Sequence, residues 1–297
     1  MFKKILLATT GSTASFGAAR VAFDMAKRYG SEVTVFHVLG VPTKAYSQIV
    51  NDVRTGEEVE VDEDYRSWVE EEIRTTYAKQ LEGLDNVRII LTTGVPSREI
   101  LREARSIDAD LIVMGASSGN SANYYRGYPG STFQKVAKAA GCPILTVHRE
   151  SASYWGGFSK ILFGTDFSKQ SLSAFLFALK TARELDCELT IFHALDISGK
   201  VLDQNEIEEN LIAVRERIRS TYSPLMGDFK NYDIEVWEGA PYVEIVKLAR
   251  EKQVDLVVLA HHTRELDPEK ARIGSTVEQV IVRANCPVVS VSKPEKV

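Results

Sequence analysis

The chain repeats itself once along its length, and two copies of one pattern call for two copies of one domain. Lys4-Ile5-Leu6-Leu7-Ala8-Thr9 returns as Lys160-Ile161-Leu162-Phe163-Gly164-Thr165, and Val33-Thr34-Val35-Phe36-His37 as Leu189-Thr190-Ile191-Phe192-His193, both 156 residues later. Arg74-Thr75-Thr76-Tyr77 returns 145 residues later as Arg219-Ser220-Thr221-Tyr222, a spacing kept by Gly94-Val95-Pro96 and Gly239-Ala240-Pro241 and by Asp110-Leu111-Ile112-Val113 and Asp255-Leu256-Val257-Val258. Gly130-Ser131-Thr132 and Cys142-Pro143-Ile144 recur 144 residues later as Gly274-Ser275-Thr276 and Cys286-Pro287-Val288. The drop from 156 to 145 puts 11 additional residues into the first copy, between His37 and Arg74. The polar stretch 43–64 is the expected place, and its acidic end (Glu57, Glu58, Glu60, Asp62, Glu63, Asp64) reads as solvated surface rather than a metal site. A length of 297 residues suits two domains at ~100 to 200 residues each. We place them at 1–150 and 158–294, with a linker near 148–159 that contains Gly156-Gly157.

Inside each copy, short β-branched runs alternate with segments of helical periodicity. Residues 5–8, 33–36, 87–91, 111–114 and 144–147 are continuous and apolar, as strands buried on both faces require. Residues 15–29, 64–81, 97–106 and 131–140 space their apolar residues by three and four, as helices do. The order βαβαβαβαβ implies right-handed crossovers and an α/β fold: two tandem doubly wound, Rossmann-like domains, each with a five-stranded parallel sheet and a ligand site beyond the carboxyl ends of the strands.

Composition narrows the function. With 36 Lys and Arg against 41 Asp and Glu, the formal charge is −5, so no general attraction to nucleic acid phosphates is built in. The apolar run 5–8 is too short for a signal peptide or a membrane span, and we expect a cytoplasmic protein without membrane contact. Cys142, Cys187 and Cys286 form no close pair and are expected as buried reduced thiols.

The chemistry concentrates after the fourth strand. Val113-Met114-Gly115 leads into Ala116-Ser117-Ser118-Gly119, and a loop runs from there to Gly130-Ser131-Thr132 at the start of the last helix. Glycines let backbone amides approach a ligand, and a helix amino terminus favours an anion, so this pattern suits a phosphate cradle. A plainer reading stands beside it, in which Gly130 closes a loop and Ser131 caps a helix.

On these residues the chain resembles the universal stress protein family in its tandem form, over nearly all of both copies. Nucleotide-binding members of that family carry Gly-x-x-Gly, nine residues, then Gly-Ser/Thr in this loop. Gly115 matches the first glycine, Ser118 stands at the second with Gly119 one place late, and Gly130 with Ser131 matches the final pair, ten residues after Gly119. The resemblance implies ATP, or AMP or ADP, as ligand, with Mg a candidate companion. It also implies backbone contacts from Val38 to adenine, Met114 in the base pocket, and phosphate contacts along Gly115, Ser118, Gly119, Gly130, Ser131 and Thr132.

Each copy departs from the pattern. Family members place an Asp at the end of the first strand, where the first copy has Thr10 and the second has Asp166. The second copy keeps Gly274 and Ser275 but puts Ala260 and Thr263 at the earlier glycines. A Cβ there should obstruct positive φ and close approach, which makes the first copy the better candidate. Asp166 reads equally well as a carboxylate that caps a helix.

Other polar residues read as structural. His261 and His262 lack a third ligand at metal spacing, and His37 and His193 recur as core histidines. Tyr124, Tyr125, Arg126 and Tyr128 lie in the loop, able to stack on a base or to pack as a lid. No Walker sequence and no hydrolase elbow occurs, so at most slow ATP hydrolysis is expected. The leading function is a nucleotide-binding stress-response module of regulatory or protective role. The alternative is an interaction scaffold with both sites degenerate. For assembly we expect an internal pseudo-dimer through the last strands, 144–147 and 288–291, which leaves room for a further homodimer; the sequence names no protein partner.

Overall fold

Continuous apolar runs become the centre of one sheet in the computed structural model, which describes residues 2–11, 15–40, 49–51, 57–116, 129–148, 154–197, 203–261 and 275–292. The first half runs β1 (Lys4–Thr9), α1 (Phe16–Tyr29), β2 (Glu32–Gly40), β3 (Ile49–Asn51), β4 (Glu58–Glu60), α2 (Glu63–Thr76), α3 (Ala78–Leu81), β5 (Val87–Gly94), α4 (Pro96–Ser106), β6 (Leu111–Gly115), α5 (Ser131–Ala139) and β7 (Ile144–Val147). The second runs β8 (Lys160–Gly164), α6 (Lys169–Leu185), β9 (Glu188–Leu195), α7 (Gln204–Met226), β10 (Tyr232–Glu238), α8 (Pro241–Glu251), β11 (Leu256–Ala260), α9 (Ser275–Arg283) and β12 (Val288–Val291).

Ten strands form one sheet in the order β10-β9-β8-β11-β12-β7-β6-β1-β2-β5. Within each half all pairings are parallel. The halves join where β12 meets β7 antiparallel, Val288 opposite Thr146, Val289 opposite Leu145 and Ser290 opposite Ile144. The two last strands therefore close each other's apolar edges, as expected of an internal pseudo-dimer. Residues of α1, α2, α6 and α7 share one core on one face of the sheet, and residues of α4, α5, α8 and α9 share a second core on the other.

Three differences from the sequence reading have local causes. The segment 64–81 is two helices rather than one, because Tyr77 leaves helical backbone (φ −105°, ψ 12°) between α2 and α3. Its ring is fully buried, with the hydroxyl 2.6 Å from Thr9 Oγ1. Tyr222 makes the same bond to Thr165 at 2.5 Å without breaking α7. The stretch 43–64 also holds a short antiparallel hairpin, β3 with β4. Finally, β5 is half-buried along most of its length because it ends the sheet, whereas β6 is buried.

The repeated Gly-x-Pro before α4 and α8 is structural. Gly94 and Gly239 have φ of +157° and +133°, and a Cβ on either would stand 2.8 Å from the side chain of Glu99 or Glu244. All three cysteines are buried free thiols, and burial pushes Cys187 up to about 12. Among the described residues no helix is long and apolar enough to cross a membrane.

Candidate functional site

Parallel strands end together, and in the first half the ends of β1, β2 and β6 with the first turn of α5 enclose a cavity of about 230 Å³. Seven residues singled out from the sequence line it: Thr10, Val38, Met114, Gly115, Gly130, Ser131 and Thr132. They come from four places in the chain and share one wall system because the strand order 7-6-1-2-5 puts β6 and β2 on either side of β1. This is the crevice where crossovers diverge to opposite faces of the sheet. Ser118 and Gly119 lie outside the described residues, as do Tyr124, Tyr125, Arg126 and Tyr128. Asp166 and Ser275 stand in the second half, and Gly274 is outside the described residues.

The floor is apolar and the rim is polar. Phe36, Val38, Ile100, Met114 and Phe133 are among the lining residues and belong to the core on the α4 and α5 face. Thr10, Ser15, Ser131 and Thr132 supply the polar part of the lining, and Thr9 lines the cavity with its hydroxyl turned to Tyr77 in the opposite core. A flat apolar ring fits the floor, and an anion fits the rim, where α5 begins.

Details of that helix start correct the sequence reading. The N-cap of α5 is Gly130 (φ −62°, ψ 153°), so Ser131 is the first helical residue rather than the cap. Having no side chain, Gly130 offers no acceptor to the first-turn amides, and no acidic residue lies in that turn. Its own N–H donates to Ala116 O at 2.7 Å, which ties the helix start to the end of β6. Gly115 is the last residue of a strand. The expected obstruction of a positive φ by Ala260 therefore fails, since its counterpart in the first half is strand backbone; the lost close approach remains as the difference.

The positive-φ position beside the cavity is Gly11, at +69°, which the sequence reading did not single out. Ser15 was also missed. It is 3% exposed, its Oγ accepts from Thr10 N at 3.1 Å, and it lies 2.8 Å from Thr10 Oγ1. Its recurrence as Ser171, 156 residues on, was the available signal. His37 lines the cavity as well, and its Nδ1 is 2.9 Å from the carbonyl of Thr9. His193 repeats that bond to Thr165 at 2.8 Å, which agrees with core histidines held by the preceding strand.

Comparison with known proteins settles the family. The model of the universal stress protein family matches residues 1–148 and again 157–292. The chain belongs to the universal stress protein family. A universal stress protein of Methanocaldococcus jannaschii is 32% identical over 145 residues, 47% of this chain and 85% of that one. One of Thermus aquaticus is 33% identical over 147 residues, 50% of this chain and 99% of its own. The crystal structure of a universal stress protein from Archaeoglobus fulgidus covers 99% of both chains with a TM-score of 0.68 at 20% identity, a likeness of fold.

In this tandem universal stress protein the second half is built differently at the same place. Asp166 accepts from Ser168 N at 3.0 Å and from Ser171 Oγ at 2.5 Å, so it braces the turn that starts α6 while Ser168 is the N-cap. Phe167 takes the position of Gly11 and keeps its positive φ, +61°, a backbone that costs a non-glycine residue about 1 kcal/mol. Its ring lies 5.0 Å from that of His193, with the guanidinium of Arg217 4.0 Å above it. Burial, and then the Arg217 charge, hold His193 below the usual histidine range. Beneath, Gly164 stands where the first half has Ala8, and Leu259 reaches within 2.6 Å of where a Cβ would be. His261 is hydrogen-bonded to the chain, its Nε2 2.7 Å from Ala137 O of α5.

Proposed function

We propose that the first half binds an adenine nucleotide, ATP, ADP or AMP, in the cavity at the ends of β1, β2 and β6, and that the protein is a cytoplasmic stress-response module of regulatory or protective role. One observation carries the reading: residues chosen from sequence as nucleotide contacts, scattered from Thr10 to Thr132, line a single cavity. The base lies on Val38 and Met114, and the phosphates face the amides of the α5 first turn. The second half binds weakly or not at all, because Ala260 and Thr263 replace glycines and Leu259 leans into the floor.

The hydroxyls, the histidine with its ring bound to a carbonyl and the backbone amides bind and orient, and none of the described lining residues is a carboxylate base. The test is direct. The purified protein is denatured and any released nucleotide identified, and the emptied protein is then titrated with ATP by calorimetry. About one adenine nucleotide per chain is the expected result. No released nucleotide together with no heat on titration overturns the reading in favour of the interaction scaffold.

A further inference from the structure

We infer that the first half takes its nucleotide as the metal-free anion and that Mg²⁺ weakens binding, an inference that rests on the nucleotide reading above. Mg²⁺ demands near-octahedral oxygen ligands, and proteins that hold it beside phosphates usually supply one or two carboxylates. The donor set here does not fit that demand. Among the described residues, the polar ones that line the cavity are Thr9, Thr10, Ser15, His37, Ser131 and Thr132. Several are already engaged: Thr9 Oγ1 lies 2.6 Å from Tyr77 and accepts from Gly11 N at 3.0 Å, and Thr10 Oγ1 pairs with Ser15.

The surrounding sequence has the same character. No Asp or Glu occurs in residues 1–23, 33–51 or 111–149, the stretches that supply all of the wall except Pro96 and Ile100. Glu99, one residue before Ile100, is ion-paired with Arg102. Between 111 and 134 the sole charged residue is Arg126, and the first turn of α5 has no acid. Such a wall gains from full negative charge on the phosphates, because among its described residues none is charged and the helix start turns the positive end of its dipole to the cavity. A bound Mg²⁺ cancels two of those negative charges, and none of the described wall residues offers a carboxylate to complete its shell.

The second half supplies the counterexample within the same chain. It has Asp166 in place of Thr10, and its corresponding loop contains Glu265, Asp267 and Glu269. Asp166 sits in the same turn and receives Ser171 as Thr10 receives Ser15. The backbone of that turn thus already accommodates an aspartate, which makes Thr10→Asp a test that keeps the fold.

The experiment titrates the full chain, freed of nucleotide, with ATP at matched ionic strength, once in EDTA and once in excess Mg²⁺, with AMP as the control. ATP is expected to bind roughly tenfold more tightly in EDTA, AMP equally in both, and Thr10→Asp to erase or reverse the ATP ratio while melting like the parent. Equal or tighter ATP binding in Mg²⁺ overturns the inference and leaves the nucleotide reading standing. A Thr10→Asp protein with an unchanged ratio also overturns it, since the charge at that position would then be irrelevant. Absence of ATP binding in both buffers overturns the nucleotide reading, and this inference with it.

Discussion

The two halves share a frame and differ in what stands at its top. Both bind the carbonyl at the end of their first strand to a histidine, His37 or His193, and both clamp the threonine hydroxyl there with a buried tyrosine, Tyr77 or Tyr222. At the next two positions they part. Thr10 and Gly11 leave one turn neutral and bare, while Asp166 and Phe167 make the other charged and covered by a ring that Arg217 overlies. A duplicated domain thus keeps the bonds that hold its strand ends in place and varies the side chains of the turn beyond them. At these strand ends, recurrence between the halves marks scaffold, and the halves diverge at the side chains of the turn that follows.

The strongest way to break the comparison is to separate the halves. Val289 is fully buried opposite Leu145 in the one antiparallel pairing of the ten-stranded sheet. Val289→Lys should cost about 3 kcal/mol or more, since a charge placed there has no partner. Urea unfolding checks this, and an unchanged midpoint would mean that the halves are not held by this contact.

A smaller effect tests which half carries the ligand. Gly130 has ordinary backbone angles, so Gly130→Val leaves the helix start in place and acts by crowding the first-turn amides. ATP affinity should fall at least tenfold, because each lost amide contact to a charged group is worth about 1.5 to 3 kcal/mol. Calorimetry on Gly130→Val and on Asp166→Thr separates the halves: the first variant should lose binding and the second should keep it. The opposite pattern would move the site to the second half.

The smallest effect sharpens the rule that recurrence means scaffold. Tyr77→Phe and Tyr222→Phe each remove one of the two partners of a buried threonine hydroxyl and should each cost about 1 to 2 kcal/mol. Only Tyr77→Phe should also weaken ATP binding, by a few-fold, because Thr9 lines the cavity. Equal effects of the two variants on binding would count against a site confined to the first half.

Much of this was legible in the sequence, for reasons visible in particular residues. Strands such as 111–114 and 144–147 are buried on both faces, and that burial writes itself as continuous β-branched runs. The cavity was legible where its residues sit at strand ends and at a helix start, as Met114, Gly115 and Gly130 do. Tyr77 was not legible as a helix break, because the same motif passes through α7 unbroken and tertiary contact decides between them. Nor was the positive φ of Gly11, since its counterpart is a phenylalanine that bears the strain. The exposed face of β5 depends on where the sheet ends, which no local pattern records.

The antiparallel seam fixes a direction for each half. Strands that run parallel within a half run opposite ways across β7 and β12, so the carboxyl ends of the strands of the two halves look out from opposite sides of the molecule. One helix nevertheless reaches from side to side. The nine residues of α5, a rod of about 13 Å, begin at the cavity with Ser131 and bear the Ala137 carbonyl against His261, which follows the last residue of β11. The molecule is thus a back-to-back pair whose outward faces are joined by a short strut.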